Sequence, residues 1–417
     1  MVTDTLRQGI LKMRLGVARA ALSFVVVLGL GMVATPAAQG QTFTVLHTFS
    51  GGDDGANPYG GPIQDKTGNL YGTTETLGSH GYGTAFKLEP GNALTVLHGF
   101  AGGTDGANPF VGLLPDSAGS LYGVTDAGGN TKCNPPYGCG LVFKLEKSGR
   151  TIVLHRFAGG RTDGCYPQSA LIEDKLGNLY GTTSGCGASG LGTVFRLSKE
   201  GKETVLHSFA GGASDGSGPF YASLLMDEMG SLYGVTEGGG STGCFGTGCG
   251  AVYRLSKAGT FTLLHSFSSG ITDGCYPYGT LVKDKSGTLY GTTSGCGSDG
   301  AGTVWKLSKE GKETVLYSFV GAPTDGANPF AGVIMDANGN FYGETENGGS
   351  SNFGAVFELS KKGALTLLHS FTGSDGAYLF GGVIRDTKGT LYGTTNGGGN
   401  TNCNAPYGCG TVWKLTP

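Results

Sequence analysis

Two glutamates in the string FYGETE, Glu344 and Glu346, are spaced for chemistry. In an extended strand, residues i and i+2 share a face about 6.5–7 Å apart. At that separation two carboxyls can serve as acid and base, or hold a cation. Glu75, Asp126 and Glu237 stand at the position of Glu346 in other copies of the same string, so the acidic character extends beyond one place in the chain. His80, the one histidine outside the repeated TVLHSF string and its variants, lies in a loop of the first unit and is a further candidate base. Glu344 has no acidic counterpart: the equivalent residue elsewhere is Thr or Val, so Glu344→Thr restores the common residue and is expected to leave stability unchanged.

The remaining reactive types recur too regularly to define one site. His47, His98, His155, His207, His265 and His369 hold one position in a repeated string, with Tyr317 in the seventh copy. Equivalent positions on different repeats lie too far apart to share a metal, so no metal site is expected from them. Asp54, Asp105, Asp163, Asp215, Asp273, Asp325 and Asp375 each precede a glycine, which is ordinary turn chemistry. Calcium is the cation such loops could take, although no D-x-D-x-D run supplies several ligands locally. No cofactor is implied: the strings GGGSTG and GGGNTN have no following helix to present its N-terminus to a phosphate.

The elements that must carry these residues follow from a period. Glycine supplies 82 of the 417 residues and charged types only 14%, a composition that means either disorder or a periodic all-β fold. The tyrosine of LYG or FYG falls at 71, 122, 180, 233, 290, 342 and 392, so the repeat is about 50–58 residues long. Two further markers, TVLHSF and GTVFKL, also occur seven times in variant forms. Each unit reads as four short runs rich in β-branched and aromatic residues, separated by turns. The first run resembles VGLLPD and is taken as innermost strand a; LYGTT is b, GTVFKL is c, and TVLHSF is outermost strand d. The fold class is therefore all-β, a seven-bladed β-propeller over residues 41–417. A lone TVLHTF at Thr44–Phe49 precedes the first unit and the last unit lacks its own, so the N-terminal strand is expected to close the ring. The marker aromatics are expected to pack between blades.

Residues 1–40 read as a secretory signal peptide: Arg7, Lys12, Arg14 and Arg19 lead an uncharged apolar run from Ala20 to Ala34. That run is too short to span a bilayer and nothing like it recurs, so no membrane span is expected in the mature chain. Its removal takes four basic residues and one acidic residue from totals of 28 and 31, leaving a net charge of −6. With no basic stripe, nucleic acid is excluded as a partner, and a secreted monomer, extracellular or periplasmic, is expected. Export makes the ten cysteines a disulfide set. Cys165 with Cys186 and Cys275 with Cys296 are register-matched about an a–b turn. Cys133 with Cys139, Cys244 with Cys249, and Cys403 with Cys409 lie within single b–c loops.

The unit D-G-A-N-P-F, D-x-x-G-N-L-Y-G-T-T, G-T-V-F-K-L, T-V-L-H-S-F resembles the GloVer tandem repeat of secreted bacterial proteins, over essentially all of residues 42–417. The resemblance implies a repeat surface protein of no known activity. The D-x-x-G-N-L-Y turn is more faintly similar to propellers of the NHL and gluconolactonase-like kinds, whose catalytic and metal positions have no clear counterparts in this sequence.

The d–a and b–c loops share one face, the top, and the b–c loops vary most in length. The residues point to a non-enzymatic recognition or scaffold propeller that binds an extracellular polymer, carbohydrate above all, or an envelope protein through these loops. Tyr137, Phe245, Phe353 and Tyr407 would offer stacking surfaces beside Glu344 and Glu346. The alternative is a hydrolase or lyase acting on sugars or lactones, with Glu344, Glu346, Glu237 and His80 as acid–base groups.

Overall fold

The computed structural model describes residues 40–417 except Thr242 and Phe245; the signal-peptide reading of residues 1–39 lies outside the described residues. Seven antiparallel sheets, each ordered a-b-c-d from the axis outward, form a ring. In blade 1 the strands are Ile63–Gln64, Leu70–Thr74, Thr84–Leu88 and Leu94–Gly99. Blade 7 takes strands a to c from Ile384–Arg385, Leu391–Thr395 and Thr411–Thr416, and its strand d from Thr42–Thr48. The closing pair runs from Thr42 opposite Thr416 to Thr48 opposite Thr411. A single 3-10 turn, Gly103–Asp105, is the only helical element among the described residues. No helix among them is long and apolar enough to cross a membrane.

Packing follows the markers. Seven apolar clusters sit at the seven blade junctions, each built from strand c of one blade, strand c of the next and the phenylalanine that ends a strand d. Phe49, for example, is fully buried and meets Phe86 edge-on at 5.3 Å, joining blade 7 to blade 1. The repeated tyrosine does a second job. Tyr71 donates to Asp65 Oδ2 at 3.1 Å, while Asp65 Oδ1 accepts the backbone N–H groups of Thr67 and Asn69, fixing the a–b turn. That explains why D-x-x-G and Y recur together.

The repeated histidine is tied in the same way. Each strand d carries a bulge that re-aims the following histidine, as between Val194 and Phe195 in the pairing of blade 3. Its Nε2 then meets the d–a loop aspartate, at 3.1 Å for His47–Asp54 and 2.9 Å for His369–Asp375. That aspartate also accepts a loop N–H, Ser50 onto Asp54 and Thr372 onto Asp375.

Strand a departs from expectation. A run of four to seven paired residues is predicted, yet in most blades only two are paired, such as Leu114–Pro115; blade 5, with Gly274–Lys283, is the long exception. The cause is crowding at the axis. A Cβ on Gly332 would fall 2.0 Å from the carbonyl oxygen of Thr280, and one on Gly381 would fall 2.3 Å from the amide nitrogen of Gly61. Inner segments of neighbouring blades thus touch backbone to backbone, and Gly61 N donates to Gly381 O at 3.0 Å across the junction of blades 1 and 7.

All ten cysteines are paired: 133–139, 165–186, 244–249, 275–296 and 403–409, with Cα separations of 5.1–5.7 Å. The loop disulfide of blade 4 packs on the hairpin disulfide of blade 5, with the sulfurs of Cys244, Cys275 and Cys296 within 4.8 Å of one another. The Cys165–Cys186 link spans 21 residues. Replacing both with Ser is expected to cost ~3 kcal/mol, seen as a lower denaturant midpoint. An unchanged midpoint would show that the hairpin is held by its pairing alone.

Candidate functional site at the channel mouth

The top of the channel is built from two rings of side chains. The outer ring is the residue that follows the LYGTT string or its variant: Glu75, Asp126, Ser184, Glu237, Ser294, Glu346 and Asn396. Backbone pairing holds it in place. The N–H groups of Glu75, Asp126, Glu237 and Glu346 donate to the carbonyls of Asn57, Asn108, Gly218 and Asn328 at 3.0–3.1 Å. Those four acceptors all have left-handed backbone, φ +56 to +59°, which Asn and Gly tolerate and which turns the chain inward. The Asn side chains also reach the preceding blade: Asn108 Nδ2 donates to Glu75 O at 3.2 Å and Asn328 Nδ2 to Ser294 O at 2.8 Å.

Two residues after each left-handed position comes the inner ring: Tyr59, Phe110, Gln168, Tyr278, Phe330 and Phe380, with Tyr221 in blade 4. Tyr59 stacks on Phe380 at 4.4 Å and on Tyr221 at 5.0 Å, while Tyr278 meets Phe330 at 4.8 Å. Blade 4 has one extra residue between its loop and turn aspartates, and Tyr221, at φ +52°, extends across the axis to blade 1. These half-buried rings form a floor across the mouth. Beneath it lies a cavity of about 220 Å³ lined by the glycine-rich inner segments, Gly60, Gly112, Gly332 and Gly381 among them.

The four carboxyls converge on the phenols of this floor. Burial raises the hydroxyl of Tyr59 far above its ordinary value, and Tyr221, Glu346 and Glu75 add to the effect. Burial likewise lifts Tyr221 to about 12, with Asp126, Glu75 and Glu237 contributing. Glu75, Glu346 and Asp126 are themselves displaced upward. Burial, and then the charge of Asp126, pushes Glu75 to about 7; burial pushes Glu346 to about 7 and Asp126 to about 6. Gln168 Nε2 donates to Asp126 Oδ1 at 2.8 Å, and its own Oε1 makes no hydrogen bond within the protein; nor does Asn396 Nδ2 in the outer ring. At neutral pH the mouth therefore offers protonated and ionised carboxyls side by side, both donors and acceptors, over an aromatic surface.

Of the residues singled out by sequence, Glu237 and Glu346 meet at this mouth with Glu75 and Asp126. Glu344 does not join them. Its side chain is covered by blade 7: Glu344 is 0% exposed and its Oε1 accepts the N–H of Gly382 at 2.6 Å. His80 is exposed, 3.1 Å from Ser79 Oγ and beside Gly99 of the outer strand, away from the axis. Tyr137 and Tyr407 are 69% and 52% exposed on the pinned loops of blades 2 and 7. Phe353 packs edge-on against Tyr378 at 6.1 Å, and Phe245 lies outside the described residues. Sequence reading missed the aromatic floor. Its signal was the aromatic after the loop proline, present in most units but outside the three counted markers.

Solved structures share the fold at low identity. The chain is similar to an extracellular domain assigned to a one-component system in B. thetaiotaomicron, at 10% identity over 89% of this chain and 39% of that one, with a TM-score of 0.53. It is also similar to a gluconolactonase from Xanthomonas campestris, at 16% identity over 66% of this chain and 78% of that one, TM-score 0.38. A third is a luciferin-regenerating enzyme, at 13% identity over 91% and 96%, TM-score 0.44. These likenesses concern the fold alone. No curated protein matches the sequence. The model of the Gloeobacter/Verrucomicrobia repeat matches residues 16–247 and 223–417, most of the chain, and the chain belongs to that repeat family.

Proposed function

We propose that this protein is a secreted, non-enzymatic recognition propeller that binds an extracellular glycan at the mouth of its central channel. One observation carries the reading: an aromatic floor spanning the axis, ringed by carboxyls of mixed protonation and amide groups left open. Sugar rings present apolar C–H faces and many hydroxyls, so they match a surface that stacks and also donates and accepts hydrogen bonds. Five disulfides support an oxidising compartment. An envelope protein is the other partner such a face could hold.

A second reading has one observation in its favour. Glu75 and Asp126 are neighbours, displaced to about 7 and about 6, so near neutral pH one can hold a proton while the other is ionised, as acid–base cleavage of a sugar or lactone requires. One experiment separates the readings. The purified chain is passed over cellulose, xylan, pectin and peptidoglycan, scoring retention and soluble product together. Retention without product is expected; product release would establish the enzyme, and neither would remove the glycan.

A further inference from the structure

We propose that the outer rim holds one divalent transition-metal site of the Zn²⁺ class, between blades 4 and 5 on His265, Asp273 and Glu313, whose ligand atoms converge as those of His155, Asp163 and Glu203 between blades 2 and 3 do not. The basis is a residue that the seven-fold pattern does not contain. The start of strand d in one blade lies against the histidine of the preceding blade, as where Thr151 Oγ1 sits 3.1 Å from His98 Nδ1 and Phe261 stacks on His207 at 4.1 Å. Only blades 3 and 5 place a carboxylate there, in the shared string SKEGKET. In blade 5 one ligand atom each from His265, Asp273 and Glu313 falls within 4.8 Å of the others.

Three further facts point to an ion rather than a plain ion pair. Glu313 Oε1 and Glu203 Oε1 are buried without a hydrogen-bond partner in the protein, and so is His155 Nε2. The His–Asp distances are the longest of the ring at these two junctions, 3.3 Å for His265–Asp273 and 3.6 Å for His155–Asp163, against 2.9–3.1 Å at the other four. Ligand atoms on a tetrahedral Zn²⁺ at about 2.0–2.1 Å lie roughly 3.3–3.4 Å apart, which matches the 3.3 Å of His265–Asp273 and exceeds a good charged hydrogen bond. Asp273 is moreover held in place by Ser268 N, Ser268 Oγ and Gly274 N, at 2.9–3.0 Å, the kind of support that orients a ligand. Imidazole with two carboxylates suits a first-row ion, with water completing the shell.

The test uses the full mature chain. Native mass spectrometry and titration calorimetry with Zn²⁺ should show one ion per chain, and the melting temperature should rise as it binds. Glu313→Gln keeps size and shape and should leave none, with the metal-induced rise abolished, whereas Glu203→Gln should still bind one. His207→Gln, at a junction without the glutamate, should also still bind one. No Zn²⁺ bound at micromolar concentration, or equal stoichiometry in Glu313→Gln, would overturn the proposal. Binding of Ca²⁺ in place of Zn²⁺ would overturn it equally, since it would place the ion on all-oxygen loops. Circular dichroism of each apo variant keeps loss of folding distinct from loss of binding.

Discussion

A chain beginning at Ser50 should melt on the order of 10 °C or more below the parent, while a permuted chain with residues 42–49 moved behind Pro417 should melt close to it. The N-terminal segment supplies the whole outer strand of blade 7, paired to Thr411–Thr416. Its loss removes Phe49, fully buried between blades 7 and 1, and Phe43, whose ring stacks on His369 at 3.7 Å and leans on Trp413 at 6.0 Å. Deleting one buried Phe side chain typically costs ~3–5 kcal/mol, and total stabilities are only about 5–15 kcal/mol. A strand carrying two such rings is therefore a large share of what holds the ring closed. The permutant tests topology apart from composition. If both chains melt like the parent, the junction between blades 7 and 1 contributes nothing; if neither recovers, the register of closure is wrong.

Glu344→Gln is expected to flatten the pH dependence of stability and to stabilise the protein by a few kcal/mol at pH 9. Burial raises the Glu344 carboxyl to about 8, against the opposing pull of the Gly382 and Gly381 N–H groups, and its Oε2 has no partner in the protein. A group whose folded pKa lies above its unfolded value, roughly 4.3, binds its proton more tightly when folded. Its stabilising contribution is complete below that unfolded value and is lost as pH rises through it toward about 8. Thermal melts at pH 5, 7 and 9 should thus fall more steeply for the parent than for the variant. Parallel curves would mean that the carboxylate finds a counter-charge in the folded state. Glu344→Thr is not the neutral change that the repeat suggests. Thr73, Thr292 and Thr394 donate to carbonyls of the next blade, whereas Glu344 accepts an N–H that Thr would leave unpaired.

The two revisions have a common origin. Alternation along FYGETE puts Glu344 and Glu346 on one face of a strand, but period 2 is silent on whether a residue meets water or the next blade, and contacts between blades are not local. What repetition constrains was legible: the displaced strand, the disulfides matched about a hairpin turn, the blade order, and the shared position of Glu75, Asp126, Glu237 and Glu346. What arises by convergence across the ring was not. Tyr59 and Tyr221 stand 162 residues apart and meet only because blade 4 carries one extra residue. His265 and Glu313 belong to different repeats, and only the fold brings their ligand atoms together.

Binding measured on three chains tests the central claim, that the channel mouth is the recognition surface. The parent, a mouth variant carrying Glu75→Gln, Asp126→Asn and Glu346→Gln, and a loop variant carrying Tyr137→Ala and Tyr407→Ala are titrated with the polysaccharide retained in the screen. All five positions lie outside the blade-junction cores, so melting temperatures should agree within a few degrees. The mouth variant should bind at least tenfold more weakly, about 1.4 kcal/mol or more, and the loop variant like the parent. Undiminished binding by the mouth variant, with loss in the loop variant, would move recognition to the rim loops and contradict the account.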